Sequence, residues 1–213
     1  IPENIRQEII KENILVSRYG SELPYYIIDG DETIDLYKLA LEKYGFILVR
    51  KGNVKFVGTR DNAVEIPIYT DDNSDVSLTF EDVCLRSADE PSVKLGRGSR
   101  TEITLNGTNT LLKNGMLVPE HASVTFKGDG SLKVSLKTNG GAGIGSSYDG
   151  AFGSISFEQT GKITVELFID KGVGIGGGTQ SDGSTIKFVS GSTSVNSQCV
   201  ESLGIGSVKG KCV

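Results

Sequence analysis

The sequence predicts a mainly β fold, a right-handed parallel β-helix (a solenoid) with a small α/β cap at its N-terminus. Three observations predict it. Gly143-Ile144-Gly145, Gly174-Ile175-Gly176 and Gly204-Ile205-Gly206 recur with their isoleucines 31 and 30 residues apart, the period of a stacked repeat. Short alternating triplets recur along the chain: Val54-Lys55-Phe56, Leu78-Thr79-Phe80, Ile103-Thr104-Leu105, Val124-Thr125-Phe126, Ile155-Ser156-Phe157 and Ile186-Lys187-Phe188. Their apolar members lie two residues apart and so share one face of a strand. A second strand follows at a nearly fixed offset. Leu111, Leu132 and Ile163 each fall eight residues after Ile103, Val124 and Ile155, and Val195 falls nine after Ile186.

One such unit cannot bury its apolar row alone. Stacked units bury a continuous column of Val, Ile, Leu and Phe. The Gly-Ile-Gly triplets read as tight corners, where glycine accepts positive φ and leaves room for the next coil. An antiparallel sandwich would not explain equal offsets between equivalent positions. A leucine-rich horseshoe needs an Asn/Leu pattern that the chain lacks. Residues 53–213 are expected to form about six coils. With strands about 4.8 Å apart, six or seven coils make a rod on the order of 30 Å tall.

Residues 1–52 read as a helical cap joined to the first coil, with a separate partner-binding module as the alternative. Pro2, followed by Glu3, Asn4 and then Ile5, Ile9 and Ile10, predicts a helix to about Leu15. Tyr25 to Ile28 reads as a strand and Asp29-Gly30-Asp31 as a turn. A second helix is expected to carry Ile34, Leu36, Tyr37, Ala40, Leu41 and Tyr44 and to end at Gly45. Phe46 to Val49 reads as a strand. Covering the first coil with helices would protect its open edge.

Composition narrows the function classes. The 213 residues carry a net charge of −5 without a long basic run, which argues against nucleic acid as a partner. No apolar run is long enough to span a membrane as a helix. The chain opens Ile1-Pro2-Glu3 and stops at Lys211-Cys212-Val213, just after the last Gly-Ile-Gly, so a processed or excised segment is expected. Cys199 and Cys212 bracket that last triplet and are candidates for a disulfide, with two free thiols as the alternative. Cys84 reads as a buried core thiol, and no CxxC pattern points to metal or redox chemistry.

The run Leu95-Gly96-Arg97-Gly98-Ser99, then Ile103-Thr104-Leu105-Asn106-Gly107-Thr108-Asn109-Thr110-Leu111, resembles a "VGSGS…LTLSGTNTL" segment. That segment belongs to secreted repeat proteins of gut bacteria and some protists labelled carbohydrate-binding-domain-containing. Leu117 to Phe126 with Gly128 to Val134 resembles their "VPEGATLTI.G.GSLTV", and Gly140 to Gly145 their "GGAGIGG". The resemblance covers about Asp75 to Gly206. It implies a right-handed β-helix in secretion or at the cell surface, and a glycan or surface polysaccharide as partner. It brings no ligand residues with it. His121 stands where the family pattern has glycine.

Candidate sites come from the residues themselves. The segments after the first two triplets are Ser146 to Gly153 and Gly177 to Ser184. Taken in common register, they place Tyr148, Asp149, Gln180 and Asp182 side by side on one edge. Sugars call for an aromatic face and planar amides or carboxylates, and loops on a rigid scaffold are where binding groups sit. The plainer reading is turn chemistry, since Asp-Gly is an ordinary turn dipeptide. Asp71, Asn73 and Asp75 alternate oxygen ligands at a spacing that suits Ca²⁺, against the plainer reading of a solvated acidic turn. No catalytic residue is assigned. A lyase of the pectate type would draw on Asp71, Asp72 and Asp75 with Arg97 or Arg100, and a sole histidine, His121, excludes a His-rich zinc site. The favoured function is a non-enzymatic glycan-binding or adhesive module. The alternatives are a self-assembling segment of a fibre, stalk or virion appendage, and a polysaccharide lyase or hydrolase.

Overall fold

The computed structural model describes residues 24–87, 90–137, 141–147, 149–169, 171–177, 179–198 and 202–207, and of residues 179–183 the backbone. The expected helix from Pro2 to Leu15 lies outside them. The first coil runs through β1 (Tyr25–Ile28), β2 (Glu32–Asp35) and the helix α1 (Leu36–Leu41). The second holds β3 (Phe46–Val49) and β4 (Gly52–Val57), and the third β5 (Ile68–Thr70), β6 (Asp75–Glu81) and β7 (Cys84–Arg86). Then follow β8 (Val93–Lys94), β9 (Arg100–Asn106), β10 (Thr108–Lys113), β11 (Met116–Leu117), β12 (Ser123–Gly128) and β13 (Ser131–Leu136). The last are β14 (Ala142–Gly145), β15 (Ala151–Phe157), β16 (Lys162–Leu167), β17 (Val173–Gly177), β18 (Thr179–Phe188), β19 (Ser192–Ser197) and β20 (Leu203–Ser207).

These strands form three parallel sheets that the chain visits in turn. The first sheet is β1-β3-β5-β8-β11-β14-β17-β20, the second runs from β2 to β18 and the third from β7 to β19. The arrangement is consistent with a parallel β-helix solenoid. Like positions stack into interior columns. In the first sheet Ile47, Ile68, Val93, Met116, Ile144, Ile175 and Ile205 lie in line. The second sheet lines up Val54, Leu78, Ile103, Phe126, Phe157 and Phe188. The third lines up Leu85, Leu111, Val134, Val165 and Val195. One continuous apolar core runs from Ile28 to Ile175.

Four details differ from the sequence reading. First, the Gly-Ile-Gly triplets are strands of the first sheet, not corners. Each isoleucine fills the column, and the second glycine ends the straight run at φ +147, +124 and +129 for Gly145, Gly176 and Gly206. Second, Phe126, not Val124, stands on Ile103. A slip of two residues keeps every side chain on its own face, so alternation alone does not fix it. The slip carries into the third sheet. There Leu111 meets Val134, while Leu132 stands on Asn109. Asn109 is fully buried and satisfied: its Oδ1 accepts from Val83 N at 2.9 Å, and its Nδ2 donates to the carbonyls of Asn106 and Ser131 at 3.0 and 3.1 Å. Third, Val195 stands on Val165, and Thr193 takes the place over Ile163.

Fourth, the second helix is shorter than its apolar pattern suggests. Ile34 belongs to β2 and stacks on Phe56. Asp35 caps α1 by accepting from Lys38 N at 3.1 Å, and Lys43 leaves it at φ 60. Leu36 and Leu39 are buried, so α1 packs one face inward where later coils carry a third-sheet strand.

β3 is buried on both faces. Ile47 and Val49 point inward, while Phe46 and Leu48 join Tyr25 and Tyr69 in a second apolar cluster on the outer face of the first sheet. Its rings stack at 5.2 Å (Tyr25–Phe46) and 5.0 Å (Phe46–Tyr69), and Lys94 Nζ lies 5.4 Å from the Tyr69 ring centre. At the other end the columns finish exposed: Phe188 is 50% and Ile205 43% accessible.

A methyl group added at Gly176 would overlap the carbonyl oxygen of Gly206 in the next coil, on top of the strained φ. Gly176→Ala is therefore expected to lower the unfolding free energy by about 2 kcal/mol, read by chemical denaturation. Gly30→Ala is the control. Nothing lies within 4 Å of its added methyl, so a change there beyond about 0.5 kcal/mol would show that glycine entropy, not inter-coil overlap, governs the effect.

Candidate functional site

The edge where the first sheet turns into the second carries most of the sequence-predicted residues. A turn leaves backbone N–H groups without ladder partners, and they must be satisfied locally. Here side chains of one coil reach the next. Asp31 Oδ1 accepts from Asn53 N at 2.8 Å and from Asn53 Nδ2 at 3.1 Å. Asp72 Oδ1 accepts from Arg97 N at 2.8 Å. Between these, Arg50 sits 3.6 Å from Asp29 and 3.7 Å from Asp71. Further along, Arg97 pairs with Glu120 at 3.4 Å, and Glu120 lies 3.9 Å from His121, itself exposed and at φ 65. The edge is a ladder of alternating charges.

The proposed calcium ligands belong to this ladder. Asp71 Oδ1 accepts from Asp72 N at 2.9 Å, and its carbonyl accepts from Ser74 Oγ at 2.7 Å. Asn73 turns the chain at φ 55, with its Oδ1 against Gly98. Asp75 opens β6 and is in register with Arg100. Asp71 and Asn73 thus also take part in the turn before β6. Among the described residues no group of three or more His, Cys, Asp or Glu side chains is arranged to hold a metal ion. Of the residues considered for a lyase, Asp71, Asp72 and Arg97 take part in these corner bonds and ion pairs, while Asp75 and Arg100 are register partners in β6 and β9.

Of the four expected ligand-binding residues, Tyr148 lies outside the described residues. Asp149 is exposed in a tight turn closed by Ser146 Oγ, which donates to the carbonyls of Gly150 at 2.7 Å and Ser147 at 3.1 Å. Gln180 and Asp182 lie in β18, where only the backbone is described. Gln180 is in register with Phe152, then Thr185 with Ser154, so 181–184 bulge out of the ladder. Ser184 Oγ ties this bulge to the Phe152 carbonyl. The two segments are therefore offset. The first is taken up before β15 starts, the second inside β18. Ala151 meets Thr179, which carries Gln180 and Asp182 past the level of Asp149. Cys199 and Cys212 lie outside the described residues.

Cys84 is buried, but Leu85 beside it takes the interior position, so Cys84 belongs to the outward phase of β7. Burial pushes its thiol pKa up, with Arg86 opposing, which disfavours the thiolate. Tyr26 donates to Glu32 Oε1 at 2.7 Å, and that bond, with burial, pushes its pKa up to about 12. Lys127 is raised chiefly by its hydrogen bond to Glu102. The Tyr26 and Lys127 shifts belong to hydrogen-bonded pairs, and the Cys84 shift to burial.

One cluster escaped the sequence reading. In β16, Ile163, Val165 and Leu167 point inward and Thr164 and Glu166 outward, so Phe168 continues the outward phase and is 44% exposed. Lys137 Nζ lies 5.6 Å from its ring centre. Glu166, Leu167, Phe168, Asn196 and Gln198 line a shallow cleft there, and Lys133 pairs with Glu166 at 3.0 Å. The available signal was an aromatic residue on the polar phase of an alternating strand.

Asp82 gives a pH-dependent test of the corner bonds. It sits at φ 51, accepts from Thr108 N at 2.8 Å and pairs with Arg60 at 3.3 Å. The backbone bond from Thr108, then Arg60, holds its pKa below the usual 3.8. A depressed carboxylate pKa adds stability above the unfolded-state value, and that stability is lost as pH falls through the folded-state value. Asp82→Asn keeps the acceptor and tolerates the backbone but removes the charge. It is expected to be slightly less stable than the parent at neutral pH, and the gap should close on acidification below about pH 4. A gap that persists unchanged in acid would place the effect in geometry instead of charge. Comparison of the chain with protein families, with curated proteins and with solved structures returned no match.

Proposed function

We propose that this chain is a right-handed parallel β-helix module that acts without catalysis, in secretion or at a cell surface, by displaying glycan-binding or adhesive loops on a rigid stack. The right hand follows from the handedness rule for parallel crossover connections. One observation carries the display reading. Neighbouring coils hold an exposed turn at 146–150 and a bulge at 181–184 beside the same edge, each anchored by a serine hydroxyl to backbone carbonyl oxygen. Anchored segments on a stiff scaffold lose little entropy when a ligand binds. The resemblance of Leu95 to Leu111 and Gly140 to Gly145 to carbohydrate-binding repeat proteins supports a glycan as the ligand. The carboxylates along the edge already serve corner bonds and ion pairs, which favours binding over hydrolysis or lyase chemistry. A second reading, a segment of a self-assembling fibre, stalk or virion appendage, is favoured by the exposed Phe188 and Ile205 of the last coil.

A glycan array of surface polysaccharides should show selective binding that Tyr148→Ala and Asp182→Ala each weaken several-fold. Unchanged binding in both variants would remove these segments from the site. Under the fibre reading, light scattering would instead show mass growing with concentration, and Ile205→Lys would abolish that growth.

A further inference from the structure

Phe168 is an exposed aromatic at the end of the third sheet, with Lys137 Nζ 5.6 Å from its ring centre. The outward aromatic residues of the first sheet, Phe46 and Tyr69, are 1% and 2% accessible and pack on one another, whereas Phe168 is 44% accessible. Its backbone is fixed: Phe168 N donates to the Leu136 carbonyl at 2.9 Å, and Gln198 N to the Leu167 carbonyl at 3.5 Å. On the neighbouring strand Asn196 is in register with Glu166, and Gln198 follows two residues on, so both amides face outward beside the ring. Both are exposed.

We propose that the cleft formed by Phe168, Asn196, Gln198 and Glu166 binds a hexopyranose unit of a glycan. The electron-rich ring face of Phe168 suits the C–H face of a sugar. Each amide offers donors and an acceptor side by side, which matches vicinal hydroxyls. Glu166 adds acceptor capacity and is the one charged residue lining the cleft. Glu166 is paired with Lys133 at 3.0 Å, and Lys137 Nζ lies 5.6 Å from the Phe168 ring centre, so two lysines flank the one carboxylate. Few polar groups around one apolar surface, on neighbouring rigid strands, is the usual composition of a small-molecule site. The proposal rests on the reading above only in that a glycan is bound. It places the sugar on different residues, at the end of the third sheet.

The test is a titration of isotope-labelled protein, followed by NMR, with the methyl glycosides of glucose, galactose and mannose. At least one neutral glycoside should shift amide signals of 166–168 and 196–198. Phe168→Ala should weaken that binding about tenfold with an unchanged melting temperature, and Phe168→Trp should retain or tighten it. Shifts confined to Asp149 and 179–184, or binding that survives Phe168→Ala, would overturn this site and leave the glycan reading standing. If no glycoside shifts any signal and the array is blank, both proposals fall.

Discussion

The structure depends on one constraint, that each interior residue stands directly on its counterpart about 4.8 Å away. A parallel coil has no other place to put an apolar row. Neighbouring residues in a column must therefore match in shape. Ile144, Ile175 and Ile205 do so by identity, and Val134, Val165 and Val195 likewise. Phe126, Phe157 and Phe188 stack nearly flat, at 5.4 and 5.0 Å with ring planes 8° and 7° apart. Phe56 and Phe80, one column over, meet edge-on at 6.0 Å and 70°. The same closeness explains the glycines, since where coil backbones touch, as at Gly145 and Gly176, a side chain would overlap the next carbonyl.

Polar groups solve the complementary problem at the turns. Turns interrupt the ladder, and in four places among the described residues a side chain one coil away repairs it: Asp31 for Asn53, Asp72 for Arg97, Asp82 for Thr108 and Asn109 for Val83. Asn73, Asp82 and His121 take the positive-φ positions that such turns require. Asn and Asp enter that region more readily than most residues. Acidic residues in such turns serve as acceptors for nearby N–H groups. Asp71-Asp72-Asn73-Ser74-Asp75 illustrates this, since Asp71 and Asp72 already accept the N–H groups of Asp72 and Arg97.

The strands and their inward faces were legible because alternation marks them directly. The triplets at Leu78, Ile155 and Ile186 stack as their spacing suggests, on Ile103, Val124 and Ile155. Register was legible only to within two residues. The step from Ile103 to Phe126 preserves facing, and no local signal separates it from Ile103 to Val124. The Gly-Ile-Gly triplets misled in role, because glycine marks a close backbone approach inside a strand as readily as a corner. The site was less legible still. Asp149, Gln180 and Asp182 depend on where each coil absorbs its extra residues, before β15 in one case and within β18 in the other. That choice is made by backbone pairing, which composition does not encode.

Phe168 shows what a stacked scaffold adds to functional reasoning. In an ordinary globular domain a lone exposed aromatic needs no explanation. In a solenoid the outward phase of each strand is compared with its neighbours above and below. Lys133 and Thr164 share one outward column, as do Ser135, Glu166 and Asn196. Phe168, directly after β16, follows the polar outward residues Thr164 and Glu166, and two amides face it from the adjoining coil. A ring-sized ligand can bridge coils about 4.8 Å apart without the scaffold moving. Specificity then comes from side chains alone, so a binding surface can change residue by residue while the interior columns that hold the coils together stay as they are.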